Sequence, residues 1–335
     1  MKFSVGYQLC SDDYFLNNII ERKENISEVY FSYGEIPNGR NNQLKRQDMT
    51  KEEAFSKQLF DLQRLSSENI PLNLLFNATC YGKHSQSREF FSNIGDIVDE
   101  FLNEFGLISI TTASPLIASF IKNNFKDIDI RASVNMCVGS IEGMEYIADV
   151  FDSFYLKREL NRDFAKIKEL KSWCDKNDKK LFALANSGCL NNCSAHTFHD
   201  NLVSHESEIS EMDNGFGFSG ICYGYLKKNQ NIHKYFDITG FIRPEDVYLY
   251  EDLFSSLKLA TRVNENPSRV LRAYIDYKAH RGNIMDLLEP NHSAVIKPYI
   301  IENSLIDSNV EKEKLIYSNI EKAIVKLEDN IYVNQ

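Results

Sequence analysis

Residues 107–134, LISITTASPLIASFIKNNFKDIDIRASV, hold the pattern that decides the fold. Leu107 to Thr112 is a short β-rich apolar run. Ser114 then supplies a helix N-cap, and Pro115 takes the first helical position, where its missing N–H costs nothing. Apolar residues recur at spacings of three and four as far as Phe125, and a second β-rich run follows from Ile128 to Val134. Strand, helix and strand in so short a span make a βαβ unit, which calls for a parallel sheet.

The alternation continues in both directions. Further strand-like runs are Phe3 to Gln8, Glu28 to Tyr33, Leu72 to Asn77, Ser153 to Lys157, Lys180 to Asn186 and Ser256 to Arg262, eight with the two above. Helical periodicity fills the gaps at 52–69, 87–106, 140–151 and 164–178, and again after the eighth run at 267–288. Asn161 or Asp163 is placed to cap the helix at 164–178, and Arg243-Pro244 to start a short one. Eight strands with helices between them predict an α/β fold, a (β/α)8 TIM barrel. Two segments stand outside the repeat: the polar stretch 36–50, expected to protrude, and a long excursion, 186–255, between the seventh and eighth strands. The barrel is assigned to 1–300, with 301–335 as a helical extension packed on it, since EKEKLIYSNIEKAIVKLED (311–329) shows helical spacing.

The chain has 335 residues, 43% of them hydrophobic and 26% charged, a globular composition. No apolar run is long enough for a membrane span, and the first residues do not read as a secretory signal, so a cytoplasmic protein is expected. A net charge of -10 argues against a nucleic-acid partner and for a small-molecule, peptide or protein partner. Seven cysteines, an odd count, argue for reduced thiols over a disulfide framework.

Working residues of such a barrel come from the C-terminal strand ends and the loops after them. Cys10, Cys80, Cys137, Cys189 and Cys193 all fall there, and Cys222 lies further along the excursion. Cys174, in a helical stretch, is expected in the core. The sharpest motif is NSGCLNNCSAH (186–196), a thiol pair in a polar loop, where inert structural cysteines are uncommon. Thiolates select zinc and iron-sulfur clusters over hard metals. Cys189 and Cys193 with Cys222 are the expected metal ligands, with Cys80 or Cys10 as the fourth. Zinc is the rival metal, because His196, His199 and His205 follow closely. Glu159 is placed to act as acid or base and Arg158 to clamp a carboxylate or phosphate, unless the two form a structural pair. Arg262, Asn77, Tyr81 and Asn135 are expected around a substrate. No Ser-His-Asp order, nucleotide-binding glycine loop or paired-carboxylate motif stands out.

The segments FYLKRELNRDFAKIKEL (154–170), ANSGCLNNCSAHTFH (185–199) and IRPEDVYLYEDLFSSLKLATRV (242–263), with AYIDY (273–277), resemble the collagenase-like peptidase superfamily of TIM-barrel proteins. The Arg158-Glu159-Leu160 and Lys258 to Arg262 motifs carry the likeness, which covers the second half of the chain. The resemblance implies a 4Fe-4S cluster on cysteines, with Cys189, Cys193 and Cys222 matching as ligands, and a redox activity such as oxygen-independent hydroxylation. It also implies two alternatives: a peptidase, or a non-catalytic cluster-bearing subunit that docks a protein partner or electron donor. The Cys-x3-Cys spacing differs from that of the usual members, and their accessory domain is missing.

Overall fold

A computed structural model describes residues 1–40, 48–213 and 217–327. The eight runs form one closed parallel barrel: β1 (Phe3–Gly6), β2 (Ile26–Phe31), β3 (Leu72–Phe76), β4 (Leu107–Thr112), β5 (Asp129–Ala132), β6 (Ser153–Tyr155), β7 (Lys180–Leu184) and β8 (Leu257–Leu259). Each strand pairs with the next in chain order, and β8 closes on β1 with Leu257, Lys258 and Leu259 opposite Phe3, Ser4 and Val5. Several strands are shorter than their apolar runs because the last residues leave the ladder and shape the mouth.

The helices are α1 (Tyr14–Glu21), α2 (Lys51–Ser67), α3 (Arg88–Phe105), α4 (Pro115–Asn124), α5 (Ile141–Glu145) and α6 (Phe164–Lys176), then α7 (His196–Ser204), α8 (Glu206–Ile209) and α9 (Ile221–Leu226) in the excursion, and α10 (Pro267–Leu271). The expected caps form: Ser114 accepts from Ile117 N at 3.3 Å and Ser140 from Gly143 N at 3.1 Å. Thr50 and Glu53 build a reciprocal capping box on α2. Asp163 caps α6. Asn161 does not; its buried amide donates to Leu184 O and Gly240 O, both at 2.8 Å, tying the turn after β6 to β7 and to the excursion.

Strand alternation sends Val29, Leu74, Ile110, Ile130, Phe154 and Leu181 into the apolar core shared with the helices, and Cys174 lies buried there as expected. Alternate positions fill the barrel with polar side chains. Glu28 accepts from Ser4 Oγ (2.6 Å), Arg131 Nη1 (2.6 Å), Ser109 Oγ (3.2 Å) and Asn73 Nδ2 (3.4 Å). Arg131 also bonds Asp129 at 2.9 Å and stacks on Phe182. Lys258 Nζ sits 3.7 Å above the Tyr30 ring centre, and burial lowers its pKa to about 7.

The C-terminal segment corrects the helical extension. Residues 299–326 form β9 (Tyr299–Ile301), the hairpin β10 (Asp307–Glu311) and β11 (Lys314–Ser318), one helical turn at Ile320–Ala323, and β12 (Ile324–Lys326). Lys312 and Glu313 both take positive φ, as a two-residue hairpin turn demands, although neither is the usual Asn or Gly. The hidden period is two: Leu315 and Tyr317 are buried while Ile316 faces out. The hairpin docks on the start of α6, with Phe164 N donating to Glu313 O and Leu315 N to Arg162 O. Arg243 precedes a short 3-10 helix, Pro244–Tyr250, but its side chain reaches into the C-terminal segment, bonding Asn303 Oδ1 and O, Ile306 O and Ser308 Oγ at 2.8–3.0 Å.

Candidate functional site at the barrel mouth

The excursion after β7 folds back over the C-terminal mouth. Asn186 anchors its start, donating to Ala260 O at 2.9 Å and Leu287 O at 2.7 Å. At Gly188 an added Cβ would lie 2.2 Å from Pro290 O, so only glycine lets the cysteine loop press against residues 289–290. Glu159 holds the middle of that loop, accepting from Asn192 N at 3.1 Å. Its place is thus between Cys189 and Cys193, and the alternative, a structural pair with Arg158, does not form.

Cys189, Cys193 and Cys222 line one cleft of about 420 Å³, together with Arg40, Arg158, His196, His199, Asp200, Tyr223 and Glu289. Cys193 precedes α7 and Cys222 is the second residue of α9, so three separate points of one excursion contribute a cysteine to the same cleft. Burial and then the facing sulfur of Cys189 push the Cys222 thiol up, and Cys193 adds to this. Cys80 stands elsewhere. It pairs with His205, and that hydrogen bond lowers the thiol pKa and raises that of the imidazole, whose Nδ1 is 3.2 Å from Glu208. Cys10 contacts Gln8, and Cys137 Sγ lies 3.9 Å from His196 Nδ1. Among the described residues no group of three or more donors is arranged compactly enough to hold a single metal ion.

Arg158 is 7% exposed. It contacts His196 Nε2 at 2.9 Å through Nη1 and donates to Asn135 Oδ1 at 3.1 Å through Nη2, while its buried Nε has no partner. Asp200 lies 3.3 Å from the same imidazole nitrogen. Burial lowers the His196 pKa. Arg262 is 5% exposed and reaches Asn38 Oδ1 at 3.4 Å. Asn77 accepts from Gly39 N at 3.1 Å. Tyr81 turns away from the cleft and packs edge-on against Phe90 of α3.

Sequence reasoning missed Arg40 and Glu289, joined at 2.8 Å across the mouth. Arg40 falls in the stretch expected to protrude, yet residues 38–40 lie over the mouth; the rest of that stretch as far as 47 is outside the described residues. Its position after a strand was the available signal. Glu289 follows a helical turn and offered none.

Behind the cysteines Tyr235 OH bonds Gly188 O at 3.4 Å and lies 3.3 Å from His292 Nδ1. Burial drives the His292 pKa down to about 4, below its unfolded value near 6.5. The neutral ring is stable above about pH 6.5, and that stability drains away as pH falls from there toward 4, on the order of 3 kcal/mol in full. Urea unfolding across that window should show a shallower pH slope for His292→Gln than for the wild type. Equal slopes would remove the assignment.

The barrel is similar to that of a U32 peptidase. The solved structure of the U32 peptidase Mk0906 matches at TM-score 0.53 and 13% identity, over 77% of this chain and 91% of that one. Weaker likenesses are to a GH113 beta-1,4-mannanase (TM-score 0.39, 8% identity, 77% and 87% covered) and to 3-keto-D-glucoside 4-epimerase, YcjR, from E. coli (TM-score 0.36, 11%, 62% and 99%). No protein-family model and no curated protein sequence matches the chain. At such identity the likeness to the U32 peptidase shows the shared barrel. Among the described residues no helix is long and apolar enough to cross a membrane.

Proposed function

We propose that the protein is an enzyme whose mouth cleft holds a 4Fe-4S cluster on Cys189, Cys193 and Cys222 and carries out a redox modification, such as oxygen-independent hydroxylation, of a small organic substrate. One observation carries the reading: three thiols from separate parts of a single excursion line one cleft at the end of the barrel where catalysis is located in this fold. The donor set fits the group. Soft sulfur ligands suit iron-sulfur clusters over hard metals. When bound, such a cluster supplies one-electron chemistry, with electrons brought by an external donor such as a protein partner.

The chain's own residues bind and orient. Glu159 fixes the loop between two ligands through Asn192 N. Arg158 lines the cleft beside them, backed by Asn135 and His196. Of the two candidates for a fourth ligand expected from sequence, Cys80 is engaged by His205 and Cys10 contacts Gln8, so the reading uses three protein thiolates and leaves the fourth position to another group.

Anaerobic purification with iron, acid-labile sulfide and zinc assays tests this. Iron and sulfide are expected in the wild type and absent from the Cys189→Ala/Cys193→Ala double variant. A metal-free wild type, or iron retained in the variant, would overturn the reading; zinc without sulfide would replace it with a zinc site.

A peptidase is the second reading, favoured by the Cys80, His205 and Glu208 arrangement, a thiol with lowered pKa beside an imidazole held by a carboxylate. Hydrolysis of peptides that Cys80→Ala abolishes, in protein lacking iron, would move the assignment there.

A further inference from the structure

Lys258 is a nucleophilic side chain inside the barrel that takes no part in the cysteine cleft. It stands on β8 opposite Ser4 of β1. Among the described residues it has neither a hydrogen-bond acceptor nor a carboxylate within ion-pairing distance. Its amine lies instead against two aromatic rings, 3.7 Å from the Tyr30 ring centre and 5.0 Å from that of Tyr155. The carboxylates whose charge it feels are engaged elsewhere, Glu28 by Arg131 at 2.6 Å and Glu289 by Arg40 at 2.8 Å. A buried ammonium without a bonded anion is costly, and burial, with the charges of Arg262 and Arg131 added, favours the neutral amine.

The amine also faces open space. In the layer at Ser4 the interior is closed off, Ser4, Asn73, Ser109 and Ser153 all being 0% exposed. Lys258 is 8% exposed although the barrel surrounds it, so its surface meets a hollow inside the cylinder. Val134 (9%), Leu184 and Ala260 (5% each) and Phe182 (4%) share this residual exposure and, with Tyr155, form an apolar cluster separate from the main core. Fully enclosed polar atoms without a partner include Tyr155 Oη but not Lys258 Nζ, so the amine itself borders the hollow. Tyr155 and Leu184 end β6 and β7, and Val134 and Ala260 lie just past β5 and β8. The hollow therefore belongs to the C-terminal half of the barrel, where catalysis is located in this fold.

We infer that Lys258 is a nucleophilic amine for a carbonyl substrate, a ketone or aldehyde whose apolar part lies against Val134, Phe182, Leu184 and Ala260. The nitrogen lone pair adds to the carbonyl carbon and forms the C–N bond. The carbonyl oxygen then leaves as water with the two amine hydrogens, and an imine remains. Amine and carbonyl supply every atom, so the step needs no oxidant or reductant. Lysines held neutral by apolar surroundings or a neighbouring cation are the ones suited to it. The inference goes beyond the cluster reading and does not rest on it.

Incubation of the full-length protein with acetylacetone tests it. This small diketone condenses with a neutral amine, releasing water, to an enaminone that absorbs in the near ultraviolet. At pH 7 the adduct is expected on the peptide bearing Lys258, identified by mass spectrometry. It should form about tenfold or more faster there than on the exposed Lys227 and Lys228, an ordinary lysine being almost fully protonated at that pH. The labelling rate should rise through about pH 7. Lys258→Arg and Lys258→Met should both lose the band, with circular dichroism establishing that each is folded; methionine removes a charge from apolar surroundings and is expected to keep the fold even where arginine does not. No adduct on Lys258, label spread evenly over surface lysines, or a band that persists in a folded variant would overturn the inference. Cys189→Ala/Cys193→Ala should lose iron yet keep the band, so failure of the cluster and failure of the amine are read separately.

Discussion

Glu28→Leu is expected to cost about 3–5 kcal/mol of folding stability, the usual penalty for removing one partner from a buried ion pair. The carboxylate lies inside the barrel and collects donors from four strands: Ser4 on β1, Asn73 on β3, Ser109 on β4 and Arg131 on β5. Leucine removes every acceptor at once and leaves Arg131 with Asp129 alone. Glu28→Gln keeps the shape and one acceptor oxygen and should lose less. Urea unfolding measures both; a loss below about 1 kcal/mol for the leucine variant would mean that the interior network is replaceable by packing, as happens when whole buried ion pairs are exchanged for apolar groups.

Arg243→Ala should be of similar size, about 3–5 kcal/mol, because it strips a buried cation from four acceptors and leaves Asn303 Oδ1 and Ile306 O without donors. Arg243→Lys is not a rescue, since one ammonium cannot span acceptors set out for a planar fork. Hydrogen exchange of the amides in β10 and β11 gives the sharper readout. They should lose protection in Arg243→Ala before the strands of the barrel do, and uniform loss across the chain would show that the segment has no separate opening step.

The barrel was legible because each strand and helix carries its own period and cap, as at Ser114-Pro115 and Ser140, and because eight such units admit one closed arrangement. The cysteine trio was legible for a related reason: all three lie on one excursion that has to return to β8. What failed depended on direction rather than position. Cys80 and Tyr81 follow β3 as expected, but one turns to His205 and the other to Phe90. The C-terminal hairpin failed because its turn residues, Lys312 and Glu313, carry no turn signal and Leu315, Ile316 and Ile320 mimic a helical period. Glu289 was invisible because its role exists only once Arg40 reaches it across the mouth.

The closure of β8 onto β1 uses backbone pairs from Phe3 to Val5 and Leu257 to Leu259, none of them in the excursion that bears the thiols. The seam of the cylinder and the thiol-lined cleft are made by different residues, so substitutions at Cys189, Cys193 or Cys222 leave every backbone pair of the seam in place.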